Sequence, residues 1–303
     1  MTTKKILSIL AFVVLAVLLD RFSGYLLSNC YFSDKSAKVD KLVYSVLKTK
    51  EDVLVFGSSR AQHHYNSAVL EDSLNLTVFN AGAGGQNIYY HTGILKAAFE
   101  RYQPKVVLLD MSYIDYEVTP PTWDREKLSL LLPFTQKSDA AKETVLLRGH
   151  FEQLKMQSDL YRFNSTIYQI VKNNVSGELE HQQGYVALNH VYNGAPQKAV
   201  SAEAAIDSAK LNYLSDFIEY AKSNQAKVIV LVSPHYIEKH QSANLNFVTN
   251  LLKEKHGISV WNYEQDPQYL SKKEWFHDAF HLNDAGATVF SSAISKRIKE
   301  EVL

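Results

Sequence analysis

Only one cysteine, Cys30, occurs in the 303-residue chain. That excludes an internal disulfide and any zinc site built from several cysteines, while leaving the cellular compartment open. An excess of either charge is also missing: Lys plus Arg and Asp plus Glu each total 32, so the formal net charge is zero. Without a basic patch, binding to nucleic acid is not expected. Repeats and low-complexity tracts are absent as well. The apolar fraction of 46% supplies a full core, so the chain reads as globular, with length for one large domain or two.

The N-terminus lacks the marks of processing. No Ala-x-Ala-like cleavage site follows its apolar run, and Leu27-Ser28-Asn29-Cys30 is a poor lipobox because Asn29 stands where a small residue belongs. Lys4 and Lys5 precede about fourteen apolar residues, Ile6 to Leu19; Asp20 and Arg21 interrupt, and Phe22 to Leu27 resumes. Fourteen helical residues span roughly 21 Å against a bilayer core of about 30 Å. A span therefore needs Arg21 to snorkel and the second stretch to complete it. Residues 1–29 read as an uncleaved signal anchor, with the N-terminus cytoplasmic and the remainder outside the cytoplasm, periplasmic or at the cell surface. A cleaved signal and a core helix are the competing readings.

Residues 30–50 turn polar and read as a stalk with a short helix carrying Leu42, Val43, Val46 and Leu47. From residue 51 to 303 the pattern is that of one domain. Apolar runs at Asp52–Phe56, Leu76–Phe79, Lys105–Asp110, Lys227–Val232 and Ile258–Trp261 suit strands buried on both faces, and helical patterns separate most of them. The expectation is an α/β fold, a three-layer α/β/α sandwich with a five-stranded parallel sheet. From about 117 to 201 the alternation stops, which predicts a helical insertion. Gly257 is placed as a helix C-cap and Asn283 as the N-cap of the last helix.

In such a sheet, ligands bind beyond the C-terminal ends of the strands. Ser59 follows the first strand, the stretch Asn80-Ala81-Gly82-Ala83-Gly84-Gly85-Gln86 follows the second, and Asp278-Ala279-Phe280-His281 follows the fifth. One rim thus gathers a hydroxyl, backbone donors, a carboxylate and an imidazole. Asp278 orienting His281, with His281 taking the Ser59 proton, is the arrangement that nucleophilic acyl chemistry requires.

These residues resemble the SGNH (GDSL-like) hydrolase superfamily, which has a flavodoxin-like fold. Phe56-Gly57-Ser58-Ser59 is similar to its first block with Ser in place of Asp, Gly85 falls at the second-block glycine, and Asp278-Ala279-Phe280-His281-Leu282 matches the last. The resemblance implies Ser59, Asp278 and His281 as the catalytic set and the N–H groups of Ser59 and Gly85 as the oxyanion hole. It departs at the third block, where Ile114 replaces the oxyanion asparagine; Arg60, Gln86, Asn87 or Ser112 is then the substitute or a substrate contact. The Gly-Ser-Ser variant and the anchor are similar to exported branches that accompany membrane O-acyltransferases in polysaccharide acetylation and teichoic-acid D-alanylation. The implied activity is an esterase acting on O-acyl groups, acetyl first, of a cell-surface polysaccharide. An acyltransferase partnering a membrane O-acyltransferase and a catalytically silent carbohydrate-binding scaffold are the alternatives. No cofactor or metal is called for.

Plainer readings stand beside these. His63 and His64 point to different sides with no carboxylate cluster nearby, as at a solvated helix start, and His235 and His277 read as incidental. Arg60 is as suited to a structural ion pair as to substrate. The glycine stretch lacks the acidic partner of a dinucleotide fingerprint.

Overall fold

The run that opens the domain forms strand β1, Val53–Phe56, and all four residues are buried. Residues 2–168, 181–198, 204–238 and 241–303 are described by the computed structural model. Helices α1 (Thr3–Ser33) and α2 (Ala37–Leu47) precede β1. Then follow α3 (Ser59–His64), α4 (Ser67–Leu74), β2 (Val78–Asn80), α5 (Ile88–Phe99) and β3 (Val106–Asp110). The insertion supplies α6 (Pro121–Glu126), a 3-10 segment Lys127–Phe134, α7 (Asp139–Leu146), α8 (Glu152–Lys155) and α9 (Asp159–Phe163). The sheet pattern resumes with α10 (Ser208–Ser223), β4 (Lys227–Val232), α11 (Ala243–His256), β5 (Trp261–Asn262), α12 (Pro267–Leu270) and α13 (Asp284–Glu301).

The five strands are parallel in the order β2-β1-β3-β4-β5. Strand residues alternate between two cores, which is why their sequences are apolar throughout. Val53, Val55, Val106, Leu108 and Leu231 pack with α3, α4 and α13 through Ala61, Leu70, Phe290 and Ile294. Leu54, Phe56, Val107, Leu109 and Val230 pack with α2, α5, α10 and α11 through Val43, Leu95, Phe217 and Val248. The result is a three-layer α/β/α sandwich. Its strand order reverses direction between β1 and β3, so the loops after those strands splay apart and open a crevice.

Several boundaries differ from the sequence reading. The fifth strand covers Trp261–Asn262 rather than Ile258–Trp261, because only Trp261 and Asn262 meet the end of β4, at Leu231 and Val232. Ile258 is buried in the core without joining the ladder. α1 continues past Asn29 to Ser33, so the stalk shrinks to three residues before α2, which buries Val39, Val43 and Val46. Helix α10 begins at Ser208, where the Asp207 carboxylate caps it at the amides of Ala209 and Lys210; residues 201–203 lie outside the described residues. Gly257, at φ +64°, ends α11, and the Asn283 side chain caps α13 through Gly286 N–H.

Candidate active site

Gly57 makes the geometry of the site possible. Its φ is +135°, and a β-carbon there would lie 2.5 Å from the Asp110 carbonyl oxygen, so only glycine lets β1 turn this sharply into α3. Ser59, the first residue of α3, is thereby set at the strand end. The glycine stretch after β2 closes in beside it: a β-carbon on Gly82 would meet Gln62 N at 2.7 Å, and Gly84 N–H donates to Gln62 Oε1 at 2.9 Å.

Across 222 positions of sequence, His281 Nε2 lies 2.8 Å from Ser59 Oγ. Its Nδ1 lies 3.0 Å from both oxygens of Asp278. The carboxylate also accepts the N–H groups of Phe280 at 2.7 Å and His281 at 2.9 Å. Since an ionised carboxylate only accepts, Nδ1 carries the proton and Nε2 is left to accept from the Ser59 hydroxyl. Partial burial works to raise the Asp278 pKa, but the bonds from His281 and the two amides prevail and hold it below the ordinary carboxylate value.

Two further histidines stand edge-on to His281, with ring centroids 5.6 Å away for His63 and 6.2 Å for His64. They do not form a solvated helix start. They end α3, and His64 is completely buried, because α13 and the loop after β5 cover that face. His64 Nε2 accepts the N–H of Leu282 at 2.9 Å, which puts the proton on Nδ1, facing Ser233 Oγ at 2.9 Å. Ser233 in turn donates to Asp110 Oδ2 at 2.7 Å, while its N–H donates to Oδ1 at 3.0 Å. This line joins the ends of β3 and β4 to α3 and to the residue after His281. Burial pushes His64 well below the ordinary histidine range and His63, whose Nδ1–H donates to Val186 O at 2.7 Å, down to about 4. Both stay neutral, leaving His281 as the imidazole of the three placed to take a proton.

The remaining candidates separate. Arg60 lines the crevice, but its guanidinium donates to Met111 O at 2.7 Å and reaches Ser233 O at 3.5 Å, so it clamps the loops after β3 and β4. Asn87 is not at the crevice with Ser59: it caps α5 through Tyr90 N–H and donates to Asp124, fully occupied in structure. Gln86 also faces away, toward neighbouring cavities that Ser59 does not line. Ser112 does line the crevice, and so does Ile114, which is half exposed at the position of the absent asparagine. Gly85 N–H, one of the two oxyanion donors implied by the resemblance, is taken: it donates to Ser58 Oγ at 3.2 Å. His235 is not incidental, since it lines the crevice and stacks on Phe280 at 4.9 Å between centroids.

The crevice holds about 310 Å³, at the lower end of the range for small-molecule sites. Ile114, Ile237 and Phe280 give it an apolar wall, and Gln197 and Lys198, from the end of the insertion, add polar groups. No sequence signal marks those two. Asp110 and Ser233 do carry one, because both end strands on the rim that holds Ser59. Among the described residues, no cluster of three His, Cys, Asp or Glu side chains is placed to hold a metal.

No family model matches the chain, and no curated protein is similar to it. Solved structures do resemble it, two of them as follows. One, from Bacteroides fragilis and provisionally described as an acylhydrolase, shares 12% identity over 88% of this chain and 96% of that one, with a TM-score of 0.40. The other, a gut microbial diltiazem-metabolizing enzyme, shares 15% identity over 83% of this chain and 48% of that one, with a TM-score of 0.29. Likenesses of this size leave the function to be read from the site.

Proposed function

We propose that the chain is an SGNH-type serine esterase that removes O-acyl groups, acetyl first, from a cell-surface polysaccharide. The observation that carries this reading is the unbroken line from Ser59 Oγ through His281 to Asp278, each link within 3.0 Å. Ser59 Oγ attacks the ester carbonyl while its proton passes to His281 Nε2, giving a tetrahedral oxyanion and an imidazolium facing Asp278. Collapse expels the sugar oxygen, which takes that proton from His281 and leaves as the alcohol. Water then attacks the acyl-serine, again giving up its proton to His281, and the carboxylic acid departs as the Ser59 hydroxyl is restored.

The oxyanion needs donors, and Ser58 supplies one. Gly85 N–H is aimed at Ser58 Oγ, so the hydroxyl accepts there and turns its own proton toward the crevice, which it lines. Ser59 N–H, at the first position of α3, has no helical carbonyl to serve and is the second donor. The apolar wall suits an acyl methyl, and Gln197, Lys198 and Ser112 suit sugar hydroxyls. α1 is long and apolar enough to cross a bilayer; it anchors the enzyme with the domain outside the cytoplasm.

The test is acetate release from an O-acetylated polysaccharide by the full chain in detergent, with Ser59→Ala as control. Release by the wild type alone supports the esterase. Acetyl transfer to an added oligosaccharide without net release assigns the same acyl-serine to a transferase working beside a membrane O-acyltransferase. Neither product from the folded wild type sinks both.

A further inference from the structure

Among the described residues, the insertion exposes an apolar corner at α8 and α9, and its position relative to α1 indicates what covers it. Phe151 and Leu154 are each 71% exposed and Leu160 is 41% exposed. Phe151 precedes α8, Leu154 lies in it, and Leu160 lies in the first turn of α9, the helix that packs on α1. Ser158 Oγ and the N–H groups of Asp159 and Leu160 all donate to the Asp20 carboxylate, at 2.5, 2.9 and 3.1 Å. Arg21 pairs with the Asp159 carboxylate and donates to Gln157 O at 2.9 Å, and Arg162 pairs with Asp159 as well. One turn further on, Gly24 is buried against Asp159, whose β-carbon would lie 2.2 Å from a β-carbon placed on Gly24. The two charges that interrupt the apolar run are thus not left to water. Asp20, Arg21, Asp159 and Arg162 form a cluster of zero net charge at the start of α9.

Where this cluster sits in a bilayer follows from length. Ile6 to Leu19 spans roughly 21 Å, too little for a core of about 30 Å. The opposite face of α1 stays apolar and exposed beyond Arg21, with Phe22 at 61%, Tyr25 at 64% and Leu26 at 47%. Ile6 through Leu26 spans about 31 Å at 1.5 Å per residue, which matches the core. A span that uses it carries Asp20 and Arg21, and the α9 turn bound to them, about 9 Å below the outer boundary. Leu160 comes with that turn, and Leu154 lies three residues before Gln157, which holds Arg21.

We propose that the α8–α9 corner of the insertion is a membrane-interface element: Phe151, Leu154 and Leu160 insert into the outer leaflet beside α1. The occupant is the lipid bilayer itself, and the pairing within the neutral cluster on Asp20 lowers the electrostatic cost of bringing that turn into the interface. The insertion thereby fixes the tilt and height of the sheet over the membrane, setting where the Ser59 crevice meets its polymer. This inference rests on α1 being an anchor.

The experiment uses the full chain with Cys30→Ser, reconstituted in phosphatidylcholine–phosphatidylglycerol nanodiscs. Spin labels are placed through Phe151→Cys, Leu154→Cys and, as references, Val14→Cys in α1 and Ser292→Cys on exposed α13. Power saturation with oxygen and a nickel chelate reads depth. The expected result is an oxygen-to-nickel collision ratio several-fold higher at 151 and 154 than at 292, in the direction of the ratio at 14. A high ratio at 14 with 151 and 154 equal to 292 overturns the interface proposal alone. Low ratios at all positions overturn the anchor and this proposal together. All four positions are exposed, so labelling does not threaten the fold.

Discussion

The N–H of Leu282 donates to Nε2 of His64 at 2.9 Å, and this bond ties the residue after His281 to the end of the helix that starts at Ser59. Ser59 and His281 are therefore held at one height by an imidazole whose burial disfavours its charged form. His64→Gln keeps an acceptor near the Nε2 place, whereas His64→Asn keeps the donor toward Ser233 and leaves Leu282 N–H unpaired. An unpaired buried N–H costs about 1–3 kcal/mol. Spent on displacing His281, that is about a tenfold to hundredfold loss in kcat/KM for His64→Asn. His64→Gln should lose distinctly less, as kinetics on an acetyl ester will show.

Ser58→Ala tests the oxyanion assignment. If the Ser58 hydroxyl donates to the oxyanion, its removal lowers kcat by about 100- to 1000-fold with little change in KM. An undiminished kcat would mean that Gly85 N–H, released from Ser58, serves the oxyanion directly.

Asp278→Asn should lower kcat by about 10⁴-fold, because the amide cannot accept the Nδ1 proton in the way the carboxylate does and stabilises the wrong tautomer. The pH profile adds a second check. The wild-type Asp278 pKa lies below its ordinary value, so this carboxylate remains ionised throughout the range above about pH 4. Loss of activity above that pH on the acid side then does not come from protonation of Asp278.

Lys41 gives a stability prediction separate from catalysis. It is buried in α2, donates to Gly82 O at 2.5 Å, and burial lowers its pKa to about 7. Below pH 7 the folded protein must bury the charged form; between about 7 and 10.5 the unfolded chain binds the proton and the fold does not. Wild-type stability relative to Lys41→Met should therefore rise with pH across that window, by at most about 1.4 kcal/mol per pH unit. Denaturant midpoints of the two proteins, compared from pH 6 to about pH 10, check the sign.

The sheet was legible because parallel strands covered on both faces leave continuous apolar runs, and Val53–Phe56 and Val106–Asp110 lie where those runs do. Ser59, Asp278 and His281 were legible because strand-end loops share a rim whatever their separation in sequence. Less visible was anything decided by what lies opposite. His64 looks like a surface residue until α13 covers it. Asn87 reads as a rim amide until Asp124, from the insertion, takes its NH₂ group. The shortening of β5 depends on where β4 ends, which its own sequence does not encode.

Ser59 is proposed as a nucleophile activated by His281, whose Nε2 lies 2.8 Å from its hydroxyl. Fluorophosphonate labelling of the folded full chain, read by intact mass and peptide mapping, tests it most directly. One adduct is expected, on Ser59, absent in Ser59→Ala and formed far more slowly in His281→Ala. No adduct on the wild type, or labelling that continues unchanged in Ser59→Ala, contradicts it.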